Sequence, residues 1–164
     1  MTRNEAKEAL NILLDQANEL IPATIEKDLA PMDIAPGVPQ WHDYEHQLWK
    51  IGEDIRQILN SHTPLRRDKE LLDRFLSIAL NRNAKRGRQS FIMLLWYKHC
   101  AEYAGLLAAQ LDDRSVKGHI IEGLNKMKAG QFTDLVAPFT QDKTTWIRNQ
   151  AKKYMQTYGQ TPGE

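Results

Sequence analysis

Apolar residues recur along most of the chain at three- and four-residue intervals, the spacing that lines one face of a helix. Ala6, Leu10, Leu13, Leu14, Ala17, Leu20 and Ile21 form the first such stripe. Thr2 and Glu5 precede it as a possible capping box. A second stripe, over residues 43–60, contains Tyr44, Leu48, Ile51, Ile55, Ile58 and Leu59. A third runs to Arg82 through Leu71, Leu72, Phe75, Ile78 and Ala79, with Asp68 placed to cap it. Residues 88–98 are apolar nearly all round, which predicts a central, buried helix. Segments 101–111, 116–128, 132–140 and 145–158 bring the expectation to about eight helices, with no credible strand alternation. The fold class read from this pattern is all-α. One stretch breaks the rhythm: PATIEKDLAPMDIAPGVPQW holds Pro22, Pro31, Pro36 and Pro39, so a long loop is expected, as padding rather than a site.

Two helical segments share a finer pattern. VKGHIIEGL and IRNQAKKYM both place apolar residues at positions 1, 5 and 9 and a base at position 2. The same frame fits Gly87, Phe91 and Leu95 with Arg88 second, and Ile51, Ile55 and Leu59. Any amphipathic helix satisfies that spacing, so the intervening segments carry more weight. An aromatic–x–x–apolar–apolar pattern recurs as Phe75/Ile78/Ala79, Tyr103/Leu106/Leu107 and Phe132/Leu135/Val136. It begins sixteen residues after Gly87 and sixteen after Val116, but twenty-four after Ile51, where a longer turn through SHTPLRRD is implied. The first-helix starts at 87, 116 and 147 are 29 and 31 residues apart, a period suited to stacked helix pairs.

On these residues the chain resembles the HEAT/armadillo-type α-solenoid class over 44–158. The position-2 bases Arg88, Lys117 and Arg148 and the inter-unit acids Asp112, Asp113 and Asp142 belong to the resemblance. It implies a short right-handed α-α superhelix, in which position-2 bases pair with inter-unit acids and act structurally. Repeats of that class run longer and often carry a proline in the first helix, whereas Pro138 falls in a second helix here. An irregular helical bundle is the alternative. The expected organisation is one domain over 1–164: an N-terminal helix and Pro-rich loop over 1–43, repeats over 44–158, and a flexible tail over 159–164.

Charge adds an asymmetry that the net value of +1 conceals. Residues 1–60 hold eleven Asp/Glu against five Lys/Arg, a net of −6, and residues 61–164 hold ten against seventeen, a net of +7. Either half could attract a partner of opposite sign. The single cysteine, Cys100, excludes an internal disulfide and a Cys-based zinc site. The start MTRNEAKEAL lacks the apolar core of a signal peptide, and the longest apolar run, FIMLLWY, is too short to span a bilayer. A cytoplasmic protein is the expectation.

No catalytic motif stands out, and neither an enzyme nor a cofactor is expected. His42 and His46 have helical i, i+4 spacing but lack a third ligand, so no metal is assigned. His99 and Cys100 are helix neighbours, too divergent to act as base and nucleophile; Cys100 reads as core. Lys85, Arg86 and Arg88, with Arg66, Arg67 and Arg82, form a candidate basic ridge for nucleic acid, without interleaved stacking aromatics. Trp96 and Trp146 supply aromatics elsewhere, but no motif places a catalytic carboxylate beside them. The favoured surface is acidic and aromatic: Trp41, Asp43, Tyr44, Glu45, Trp49, Glu53 and Asp54. The functional expectation is a non-catalytic protein-binding module, an inhibitor or immunity-type protein that neutralises a partner such as a basic nuclease toxin. Nucleic-acid binding through the basic ridge is the alternative, and no membrane role is expected.

Overall fold

The structure, a computed structural model, describes residues 1–25 and 41–159. Most of the Pro-rich stretch expected to be a loop, with Pro31, Pro36 and Pro39, lies outside the described residues, as does the expected tail beyond Gly159. Every regular element among the described residues is helical. They gather into two compact units that divide between Leu94 and Leu95.

The first unit is built on α1 (Arg3–Leu20), α2 (Asp43–Ser61), α3 (Lys69–Ala79) and α4 (Gln89–Met93). The expected capping box opens α1: the Thr2 N–H donates to Glu5 Oε2 at 2.7 Å and the Glu5 N–H to Thr2 Oγ1 at 3.1 Å. Ala6, Leu10, Leu14 and Ala17 are fully buried. Each leucine contributes on the order of 2 kcal/mol by leaving water. Polar ties fix α1 against α3. Lys7 Nζ reaches Asp68 at 2.9 Å and Glu70 at 3.0 Å, and Arg74 donates to Asn11 Oδ1 at 2.9 Å and Asp15 Oδ1 at 2.6 Å. Asp68 caps α3 as expected, accepting the Leu71 N–H at 3.1 Å. Burial pushes the Asp68 carboxyl up, but Lys7 and the Leu71 N–H outweigh it and hold the pKa below its usual value.

On α2, the buried stripe is Glu45, Leu48, Gly52, Ile55 and Leu59. Gly52 is a packing requirement: a Cβ there would overlap the Ser90 side chain of α4. After α3 the segment Arg82–Arg88, two 3₁₀ turns broken at Lys85, folds back onto α2. Lys85 sits inside it at φ 48°, ψ −130°, a left-handed conformation unfavourable for a side-chain-bearing residue.

The sequence-expected helix over 88–98 is shorter than its hydrophobicity suggests. It ends at Met93, where the Leu94 N–H is shared between the carbonyls of Ile92, Phe91 and Ser90. Phe91, Ile92, Leu94 and Leu95 are nonetheless buried, so an all-round apolar segment satisfies itself in the core through a turn. Trp96 then leaves the pattern because its indole N–H donates to His119 O at 3.0 Å.

The second unit contains α5 (Ala104–Ala108), α6 (Lys117–Lys126), α7 (Thr133–Val136) and α8 (Thr145–Tyr158). Its expected helices 101–111 and 132–140 are broken into short α and 3₁₀ pieces. Pro138 lies in the first turn of one such piece, Ala137–Gln141, where its missing N–H has no helical partner to lose. α6 and α8 pack on one another. Tyr154 joins the outer elements: its fully buried hydroxyl donates to Ala129 O at 2.6 Å and accepts the Phe132 N–H at 3.1 Å.

The recurrent sequence pattern acquires local structure here. The Asp113 side chain accepts the Ser115 N–H at 2.8 Å, and Asp142 accepts the Thr144 N–H at 2.8 Å, each just before a helix. Lys117 pairs with Asp142 at 2.6 Å, and Arg148 donates to the Asp142 carbonyl at 2.7 Å. Lys117 therefore pairs with an acid side chain, whereas Arg148 meets Asp142 through its backbone carbonyl. Arg88 differs: it is wholly buried, and its guanidinium donates to Ala79 O at 3.0 Å. In the second pattern, Tyr103, Leu107 and Val136 are buried, whereas Leu106 and Leu135 are 51% and 50% exposed at corresponding positions.

Candidate functional site

Where Arg82–Arg88 folds onto the start of α2, several of the sequence-selected acids and bases meet and serve the fold. Glu45 is 1% exposed. Its carboxylate accepts the His42 N–H at 2.6 Å and the Arg86 N–H at 2.8 Å, clamping the two segments together. Gly87 permits this approach, since a Cβ would lie 2.9 Å from the Glu45 carbonyl oxygen. The Tyr44 hydroxyl donates to Asn83 O at 3.0 Å, and burial, aided by the Glu45 charge, pushes its pKa up to about 12. Lys85 Nζ lies 3.3 Å from His42 Nε2.

His42 and His46 are engaged separately rather than as a metal pair. His42 stacks on Tyr44 at 5.9 Å, and His46 on Trp41 at 4.7 Å. No group of three or more His, Cys, Asp or Glu side chains that could hold a metal occurs among the described residues. Cys100 is buried and His99 stacks on Tyr97 at 5.4 Å.

The acidic–aromatic set does not form one patch. Glu45 is interior, and Glu53 pairs with Arg56 at 2.7 Å. Tyr44 and Trp49 lie on opposite flanks of the α2 stripe, about 140° apart at about 100° per residue. Asp43 remains outward, accepting from Gln47 at 2.7 Å, while Trp41, Trp49 and Asp54 are half-buried. The basic ridge loses Arg88 to the core, and Arg66 is tied to Asn60 at 2.6 Å. Arg67 and Arg82 are exposed, whereas Lys85 and Arg86 are half-buried in the α2 clamp.

Two surfaces emerge that the sequence patterns did not single out. On α1, Glu5, Glu8, Ile12, Asp15 and Glu19 recur at three- and four-residue steps and are all exposed. Ile12, 52% exposed, sits at the centre of this acidic ridge. The available signal was an isoleucine off the buried stripe, with acids at i−4 and i+3.

The second surface belongs to the other unit. His119 is held between two tryptophans, stacked on Trp96 at 6.2 Å and edge-on to Trp146 at 5.3 Å. Gly118 and Gly123 admit the rings: a Cβ at Gly118 would overlap Trp146, and one at Gly123 would lie 2.6 Å from Trp96. Lys126 Nζ covers Trp96 at 4.5 Å, a cation–π contact. Burial lowers the His119 pKa to about 4, leaving a neutral imidazole near pH 7.

No protein-family model, curated protein or solved structure matches the chain. The functional reading therefore rests on these surfaces.

Proposed function

We propose that the chain is a non-catalytic, HEAT-like helical-repeat protein that binds and neutralises a basic protein, as an inhibitor or immunity-type protein does. The observation that carries this reading is the α1 ridge, an exposed isoleucine rimmed by carboxylates. An apolar anchor supplies burial energy, while a rim of one charge sign steers and selects a partner of the other sign. Glu8 and Glu19 have no ion-pair partner among the described residues and are available to that rim. Asp43 and Asp54, on the packed neighbour α2, add to the acidic character of the unit. The recurring Asp113 and Asp142 turns and the matched exposure of Leu106 and Leu135 support the repeat reading.

The reading is tested with Ile12→Lys and a Glu8→Lys/Glu19→Lys double variant. Both substitute exposed positions and should fold like the wild type. Each is expected to weaken capture of a basic protein partner by at least about tenfold, and to relieve inhibition of that partner's activity. Capture unaffected by both variants would remove α1 as the binding surface.

A further inference from the structure

We propose that the outward face of α8 binds single-stranded nucleic acid, with Trp146 as the stacking platform. This surface is in the second unit and does not depend on the α1 reading. α8 contains no carboxylate and carries Arg148, Lys152 and Lys153. Its exposed positions include Trp146, Asn149, Lys152, Lys153 and Gln156, which the helical spacing places on one side. Lys152 and Lys153 make no ion pair among the described residues, and neither does the exposed Lys143 just before the helix. Asp142, the adjacent acid, is already neutralised: its side chain is 6% exposed and pairs with Lys117.

Beside this face runs an open groove of about 590 Å³, lined by Thr140, Asn149, Lys152, Lys153, Met155 and Gln156. Two lysines, two amides and a hydroxyl suit phosphate and base-edge hydrogen bonding. The aromatic component is what distinguishes the surface from a merely cationic one. Trp146 is 42% exposed, yet its position is set by Gly118, against which the Cζ2–Cη2 end of its ring packs, and by a T-shaped contact with His119. A preset ring can stack a base with little further ordering cost. Neighbouring lysines then follow the backbone, which is the combination found in sequence-tolerant single-strand binding. Duplex DNA has its bases already stacked and offers no free face to Trp146.

The test is fluorescence anisotropy of a labelled twelve-nucleotide oligo(dT), with the full chain at 50 and 200 mM salt. The wild type is expected to bind the single strand more tightly than a duplex. Two to three phosphate contacts would weaken binding about seven- to twentyfold between the two salt concentrations. Trp146→Leu, which keeps an apolar cover over Gly118 but removes the π face, should weaken binding about 5- to 160-fold. Lys152→Glu/Lys153→Glu, confined to exposed positions, should weaken it at least tenfold while leaving the circular dichroism unchanged. No wild-type binding at about 100 µM protein would overturn the proposal. So would equal affinity for duplex, or binding that either variant leaves unchanged.

Discussion

Each unit packs histidines among aromatic rings, but the two clusters are held by different forces. In the first, the neighbourhood of His42 and His46 is fixed by directional polar bonds. Glu45 clamps two backbone N–H groups, Tyr44 bonds Asn83, and Lys85 contacts His42. In the second, one polar bond, from the Trp96 indole to the His119 carbonyl, is joined by shape: the His119 ring lies between two indoles for which two glycines leave room. The first cluster should therefore fail when an acceptor is removed, and the second when a methyl group or a proton is added.

The largest effect is expected at Glu45. Glu45→Ala leaves the N–H groups of the half-buried His42 and Arg86 without their acceptor, at a cost of about 3–4 kcal/mol in unfolding free energy. Glu45→Gln, retaining one acceptor oxygen, should cost clearly less. Denaturant melts of both variants measure the difference, and equal losses would show that the carboxylate's bonds do not hold the corner.

Next is the pH response of the second unit. The ordinary histidine pKa is about 6.5, and burial lowers that of His119 to about 4. The unfolded chain then binds the extra proton first, so this contribution is complete above about pH 6.5 and is lost as pH falls toward 4. The shift corresponds to about 3 kcal/mol at most. A Trp41→Phe/Trp49→Phe background leaves Trp96 and Trp146 as the fluorescent reporters. In that background, His119→Gln should flatten the stability profile between pH 4 and 6.5. An unchanged profile would place the titration elsewhere.

A smaller effect, about 1–3 kcal/mol, is expected for Gly123→Ala, whose new methyl would collide with the Trp96 indole. Alanine is the better helix former, so a gain in stability would mean that the indole shifts freely and that shape does not define this cluster.

The sequence showed the helices because their apolar stripes are long and periodic, as in α1 and α2. The Thr2–Glu5 box and the Asp68 cap were equally legible because capping is local. Arg88 and Glu45 were not. Each is a charged residue at a helix boundary, and only the fold-back of Arg82–Arg88 onto α2 decides that both are interior. The exposure of Ile12 was hidden by the neighbouring Leu10, Leu13 and Leu14, which dominate the stripe. The meeting of Trp96 with Trp146 around His119 joins residues fifty apart in the chain, beyond the reach of any local spacing.

The most direct measurement for the proposed function is affinity co-purification from native cells, with nuclease treatment, comparing the wild type with Ile12→Lys. Neutralising a basic partner through α1 predicts a stoichiometric basic protein on the wild type, retained after nuclease, depleted on the variant, and inhibited when assayed with the wild-type chain. A basic protein retained equally by both chains, or no protein surviving nuclease treatment, would contradict it.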